Sequence, residues 1–84
     1  MIEVREKNII HYFSRQADAD NYKDYLKNGL KVIRKDGRTY HFNNGDRLIN
    51  VSMQGETKQR YVLHRHDGRK ATNEKLLKKY IEAL

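Results

Sequence analysis

Between Leu30 and His66 the chain breaks into short runs rich in Val, Ile, Tyr and Phe: Leu30 to Lys35, Arg38 to Phe42, Arg47 to Met53 and Arg60 to His66. Three of the four alternate apolar with polar positions, the period-two signature of a half-buried strand. Asp36-Gly37, Asn44-Gly45, Gln54-Gly55 and Asp67-Gly68 punctuate them, and glycine beside Asn or Asp supplies the positive φ of tight turns. The pattern predicts an antiparallel meander of three or four strands, and the absence of Pro excludes none of them. A different period flanks the meander. From about Ala17 to Asn28, Ala19, Tyr22, Tyr25 and Leu26 share one helical face, with Gly29 placed to close the helix in the left-handed conformation. Near the other end Thr72 is the expected N-cap of a helix whose apolar stripe is Leu76, Leu77, Tyr80, Ile81 and Leu84. Residues 2–13 fit either period: Ile2, Ile9, Ile10 and Phe13 make a helical stripe, while Ile9 to Phe13 also reads as an added edge strand, the reading adopted.

The expected fold is α+β, a three- to four-stranded antiparallel β-meander covered on one face by two helices, in a single small domain spanning residues 1–84. The pleat sorts the strand residues into two sets. Tyr40, Phe42, Ile49, Val51, Met53, Tyr61 and Leu63 are expected to face the helices. Thr39, His41, Asn50, Ser52, Arg60, His64 and His66 are expected on the outer face.

Charge changes the picture. Residues 1–29 hold five Lys/Arg against five Asp/Glu, and residues 30–84 hold thirteen against six, so the entire net charge of +7 belongs to the second segment. A basic surface gains free energy by displacing counterions condensed on phosphate, which points to a polyanionic partner. Eighty-four residues suffice for one modest core, burying somewhat over ~60% of the unfolded surface. Cysteine is absent, which removes disulfides, thiolate nucleophiles and Cys-based zinc sites. The apolar runs fall far short of the ~20 residues of a membrane helix, so a cytoplasmic protein without membrane attachment is expected.

The basic residues cluster at turns. Arg34, Lys35 and Arg38 surround the first hairpin, and Arg65, Arg69 and Lys70 surround Asp67-Gly68. Turns project beyond a sheet, and guanidinium groups engage phosphate bidentately. The lysines of the last helix, Lys75, Lys78 and Lys79, read as a solvated face. His64 and His66 form a His-x-His pair able to hold zinc, but a third ligand from His41 would lie two strands away, roughly 9 to 10 Å at ordinary strand spacing, so no metal and no cofactor is expected. Tyr22, Tyr25 and Tyr80 fall on helix apolar faces, and Tyr40, Phe42 and Tyr61 share parity with the aliphatic strand residues, so these six are assigned to the core rather than to stacking with bases. Phosphate-binding Gly-rich loops, HExxH and Ser/His/Asp patterns are missing, and Asp46 and Asp67 read as turn residues.

The stretch Asn21-Tyr-Lys-Asp-Tyr-Leu-Lys-Asn-Gly29, followed by Leu30 to Gly37, Tyr40-His-Phe-Asn-Asn-Gly-Asp-Arg47 and the strand to Met53, resembles the helix and three-stranded sheet of HicA-type toxins. The resemblance covers about 35 of the 84 residues. It implies a double-stranded-RNA-binding-like fold and messenger-RNA interferase activity. In that family a Gly-Ser-His stretch opens the second strand and supplies the catalytic histidine, whereas here Arg38 and Thr39 follow Gly37 and His41 comes two residues later. Binding therefore carries over better than cleavage.

The expected function is a basic nucleic-acid-binding module or accessory factor for DNA or RNA. Its contacts are Arg34, Lys35, Arg38, Arg60, Arg65, Arg69 and Lys70, with His41, His64 and His66 secondary. The alternatives are a protein-binding adaptor or inhibitor from a mobile element, docking an acidic protein surface, and a HicA-like ribonuclease using His41, or His64 with His66, as acid and base.

Overall fold

The computed structural model describes all 84 residues. Its element order is β1 (Ile2–Glu6), β2 (Ile9–Phe13), α1 (Gln16–Asn28), β3 (Val32–Asp36), β4 (Thr39–Phe42), β5 (Arg47–Asn50), β6 (Tyr61–His64), β7 (Lys70–Ala71) and α2 (Glu74–Ile81). The fold is α+β with antiparallel sheets, but it is built as two lobes.

Residues 2–13 are strand, and they form a hairpin of their own rather than an edge of the meander. Glu6 pairs with Ile9 across a two-residue turn in which Lys7 takes a positive φ of 51°, so no glycine marks the turn in the sequence. Helix α1 packs on this hairpin, burying Val4, Ala19 and Tyr22 with Ile2, Phe13 and Tyr25 around them. It therefore does not cover the meander as expected. Gly29 closes α1 with its N–H donating to the Tyr25 carbonyl, and its φ of 91° with ψ of −175° is an extended mirror conformation, not the left-handed helical one.

The second lobe is a five-stranded sheet in the order β3-β4-β5-β6-β7 with α2 against one face. Its core is Phe42, Leu48, Leu63, Leu77 and Tyr80. Asn73, not Thr72, caps α2: its side chain accepts from the N–H groups of Lys75 and Leu76. The fifth strand, β7, follows the Asp67-Gly68 turn and pairs with β6 through Leu63↔Ala71 and His64↔Lys70.

Two corrections decide which side chains face outward. Strand β5 ends at Asn50, so Val51 and Met53 lie beyond it and carry no weight in setting its faces. Leu48 is the fully buried residue, paired with Tyr40 on one side and Leu63 on the other, and Ile49 points outward opposite Thr39 and Val62. Asn50 and Ser52 turn inward: Ser52 is buried, its Oγ accepts from the Arg60 N–H at 2.7 Å, and Asn50 Nδ2 donates to Gln59. These bonds close the 51–60 connection.

A buried side chain ties the lobes together, beside the Lys31–Asp24 ion pair at 3.9 Å. Asn43 is 2% exposed; its Nδ2 donates to the Gly29 carbonyl at 2.9 Å and to Asp24 at 3.3 Å, its Oδ1 accepts from the Lys31 N–H, and its own N–H donates to the Lys31 carbonyl. The radius of gyration is 13.9 Å, above the ~12 Å of a compact chain of this length, as a bilobed arrangement requires. The charge boundary at Gly29 is also the lobe boundary: the neutral segment is the hairpin lobe and the basic segment is the sheet lobe.

Candidate functional site

The open face of the five-stranded sheet carries one continuous row of cations and imidazoles. Arg34 is opposite His41, His41 opposite Arg47, Arg47 opposite His64, and His64 opposite Lys70, one residue from each strand. Opposed residues of antiparallel strands project to the same side, and four inter-strand spacings make the row ~19 Å long. Parity puts it on the face away from α2, because Phe42, Leu48 and Leu63 beside it in sequence are core. A β-bulge sets its first member. The register shifts between Val32 and Arg34, so Val32 faces the core opposite Phe42 while Arg34 faces outward opposite His41, with Ile33 extruded between them. Beside the charged row runs a second one, Asp36, Thr39, Ile49 and Val62, that is apolar along half its length.

The row is electrostatically uneven. At one end Asp36 lies 2.9 Å from Arg34 Nε and 3.1 Å from His41 Nε2, offsetting part of the charge. At the other end no carboxylate intervenes: neither Arg47 nor Lys70 takes part in any ion pair of the chain. His64 stands between those two cations, and burial together with the charges of Lys70 and Arg47 lowers its pKa below the ordinary histidine value. Arg47 and Lys70 flank this imidazole from the two neighbouring strands, so an anion bound over it would meet two cations with no competing carboxylate.

Four of the ten sequence-predicted contacts belong to this row: Arg34, His41, His64 and Lys70. Arg47, its centre, was not among the expected contacts; it shares the parity of Ile49, Val51 and Met53, which were expected to face the helices. The remaining six are deployed elsewhere. Lys35 falls on the opposite parity with Nζ 5.1 Å from the Tyr40 ring centroid. Arg38 donates to the Ser52 carbonyl at 2.7 Å, and Arg60 grips Glu56 through two hydrogen bonds at 2.9 and 2.8 Å. Arg69 pairs with Asp67 at the exposed β6–β7 turn.

Arg65 and His66 serve a buried carboxylate that sequence reasoning took for a turn residue. The Asp46 side chain is fully buried and accepts from Tyr80 Oη, from Asn44 Nδ2 at 3.1 Å, and from both the backbone N–H and Nδ1 of His66 at 2.9 Å each. Arg65 Nε lies 3.2 Å away at an angle too poor for a hydrogen bond, an ion pair held by charge alone. Burial opposes ionisation of Asp46, but the hydrogen bonds from Tyr80 and His66 and the Arg65 charge outweigh it and hold its pKa below the usual carboxylate value. Burial and the bond to Asp46 push Tyr80 up to about 12. His66 faces a cleft of about 570 Å³ between the lobes, which His11, Tyr12, Phe13 and Tyr22 of the hairpin lobe also line.

Comparison of the chain with family models, with curated proteins and with solved structures finds no match in any of the three. No helix is long and apolar enough to cross a membrane.

Proposed function

We propose that this protein binds a nucleic-acid backbone across the open face of its five-stranded sheet, with Arg34, His41, Arg47, His64 and Lys70 as the phosphate-contacting row. The observation that carries the reading is the register itself, which aligns one basic or titratable side chain from every strand and leaves the Arg47, His64 and Lys70 segment without a counter-charge. A linear polyanion matches a linear row of cations, and the adjacent Thr39, Ile49 and Val62 offer apolar surface to the sugars.

The test is fluorescence anisotropy with labelled single- and double-stranded DNA and RNA over a salt series, comparing the wild-type chain with Arg47→Ala. Binding that weakens steeply with salt and flattens in the variant supports the reading. Absence of binding at about 50 mM salt, where phosphate contacts are strongest, favours the adaptor that docks an acidic protein surface. Cleavage of the RNA probe that vanishes in His41→Ala favours the HicA-like ribonuclease.

A further inference from the structure

The interlobe cleft has two unlike walls. On the hairpin lobe, His11, Phe13 and Tyr22 pack ring against ring, with centroids 4.6 Å apart for His11 and Tyr22 and 5.4 Å for Phe13 and Tyr22. The Tyr22 hydroxyl is anchored on Glu6 at 3.1 Å, with His11 Nε2 bound to the same carboxylate oxygen at 3.0 Å, so this wall is fixed before any ligand arrives. Tyr12 stands on the same strand at 57% exposure and lines the cleft with no aromatic neighbour. On the sheet lobe, the wall is the β4–β5 turn and His66. The buried carboxylate of Asp46 engages His66 Nδ1, which leaves Nε2 free to meet a polar edge. Gly45 makes room for this arrangement: its φ is +90°, and a Cβ there would meet His66 Cβ at 3.1 Å.

The cleft adjoins the charged row. Ile33 and His66 line it, one residue from Arg34 and two from His64 respectively. Consecutive Cα atoms are ~3.8 Å apart, so a strand whose phosphates lie on the row has its neighbouring bases within reach of the cleft mouth. Its volume of about 570 Å³ falls within the range of small-ligand sites, and paired aromatic and hydrogen-bonding walls suit a planar heterocycle.

Resting on the nucleic-acid reading, we infer that the cleft takes one unpaired nucleobase, so that the protein prefers single-stranded nucleic acid, with Tyr12 as the stacking side chain and His66 Nε2 meeting the base edge. The probes are a labelled 12-nucleotide single strand, an abasic strand with the same number of phosphates, and a 12-base-pair duplex. The ordinary strand should bind about tenfold tighter than the abasic one, the scale of one stacked base. Tyr12→Ala should erase that difference, and its exposure means that neither core loses a residue. Arg47→Ala should weaken ordinary and abasic strands alike. Equal affinity for ordinary and abasic strands overturns the inference and leaves the polyanion reading standing. A tenfold difference that persists in Tyr12→Ala overturns the stacking assignment. Failure of all three probes to bind removes both readings.

Discussion

Replacing Arg47 by Ala tests the central cation of the sheet face. Arg47 is exposed and unpaired, so its loss leaves both cores and every ion pair intact, and the melting temperature should stay within about 3 °C of wild type, a surface-substitution effect. The magnitude follows from the row. At pH 7 its permanent cations are Arg34, Arg47 and Lys70, and each phosphate neutralised on a single strand contributes about −0.7 to the log-log salt slope, giving a slope of about −2. Between 50 and 200 mM salt the wild-type protein should therefore lose roughly 20-fold in affinity, and Arg47→Ala, with a slope of about −1.4, only about 7-fold. The assay is anisotropy of a labelled oligonucleotide at five or more salt concentrations. Lys79→Ala is the control, because Lys79 sits on α2, the helix against the other face of the sheet. A slope unmoved by Arg47→Ala, or lowered equally by Lys79→Ala, refutes the row as the contact surface.

Three further outcomes are expected. Because His64 is depressed in the free protein by burial, Lys70 and Arg47, a phosphate beside it raises its pKa; binding then takes up a proton, and affinity should rise as pH falls from 7 toward 6, a trend His64→Gln should flatten. Asn43→Ala strands the Gly29 carbonyl and the Lys31 N–H and should destabilise the protein by about 2 to 4 kcal/mol, read by urea denaturation; a loss below about 0.5 kcal/mol would mean that the junction is not closed by this side chain. Asp46 has a folded pKa below its unfolded value of about 3.9, so its contribution is complete above that pH and fades as pH falls through the folded pKa. Asp46→Asn should therefore lower stability at pH 7 by about 3 kcal/mol, as breaking a buried pair does, with the gap to wild type narrowing under acid, measured by thermal melts from pH 7 to pH 3.

Much of the fold was legible in local signals. Glycine beside Asp, Asn or Gln marked three of the four hairpin connections of the five-stranded sheet and the turn inside its longest connection, and glycine takes positive φ at each. The periods of 3.6 and 2 located both helices and four strands of the meander. The charge break at Gly29 coincided with the lobe boundary, because charge is a property of the chain that folding does not alter. The same chemistry brought Arg34, His41, His64 and Lys70 into view as candidate contacts, since residue type and turn proximity suffice to nominate them.

What sequence could not settle depended on partners distant along the chain. The hairpin of β1 and β2 turns through Lys7 and Asn8 with no glycine, so only the docking of α1 distinguishes it from a helix. In β5, Leu48 and Ile49 offer both parities to the core, and a one-residue slip exchanges the faces; the choice of Leu48 rests on its fit against Tyr40 and Leu63, and that choice turned Arg47 outward. The bulge at Ile33 likewise reversed Arg34 relative to Val32 through the pairing of β3 with β4. Composition determined that the protein is basic, and the period-two pattern with its turn residues determined that a meander lies at its centre. The alignment of its cations into one row, and the burial of Asp46 among Tyr80, Arg65 and His66, were decided by strand register and by contacts up to 34 residues apart, which no local pattern encodes.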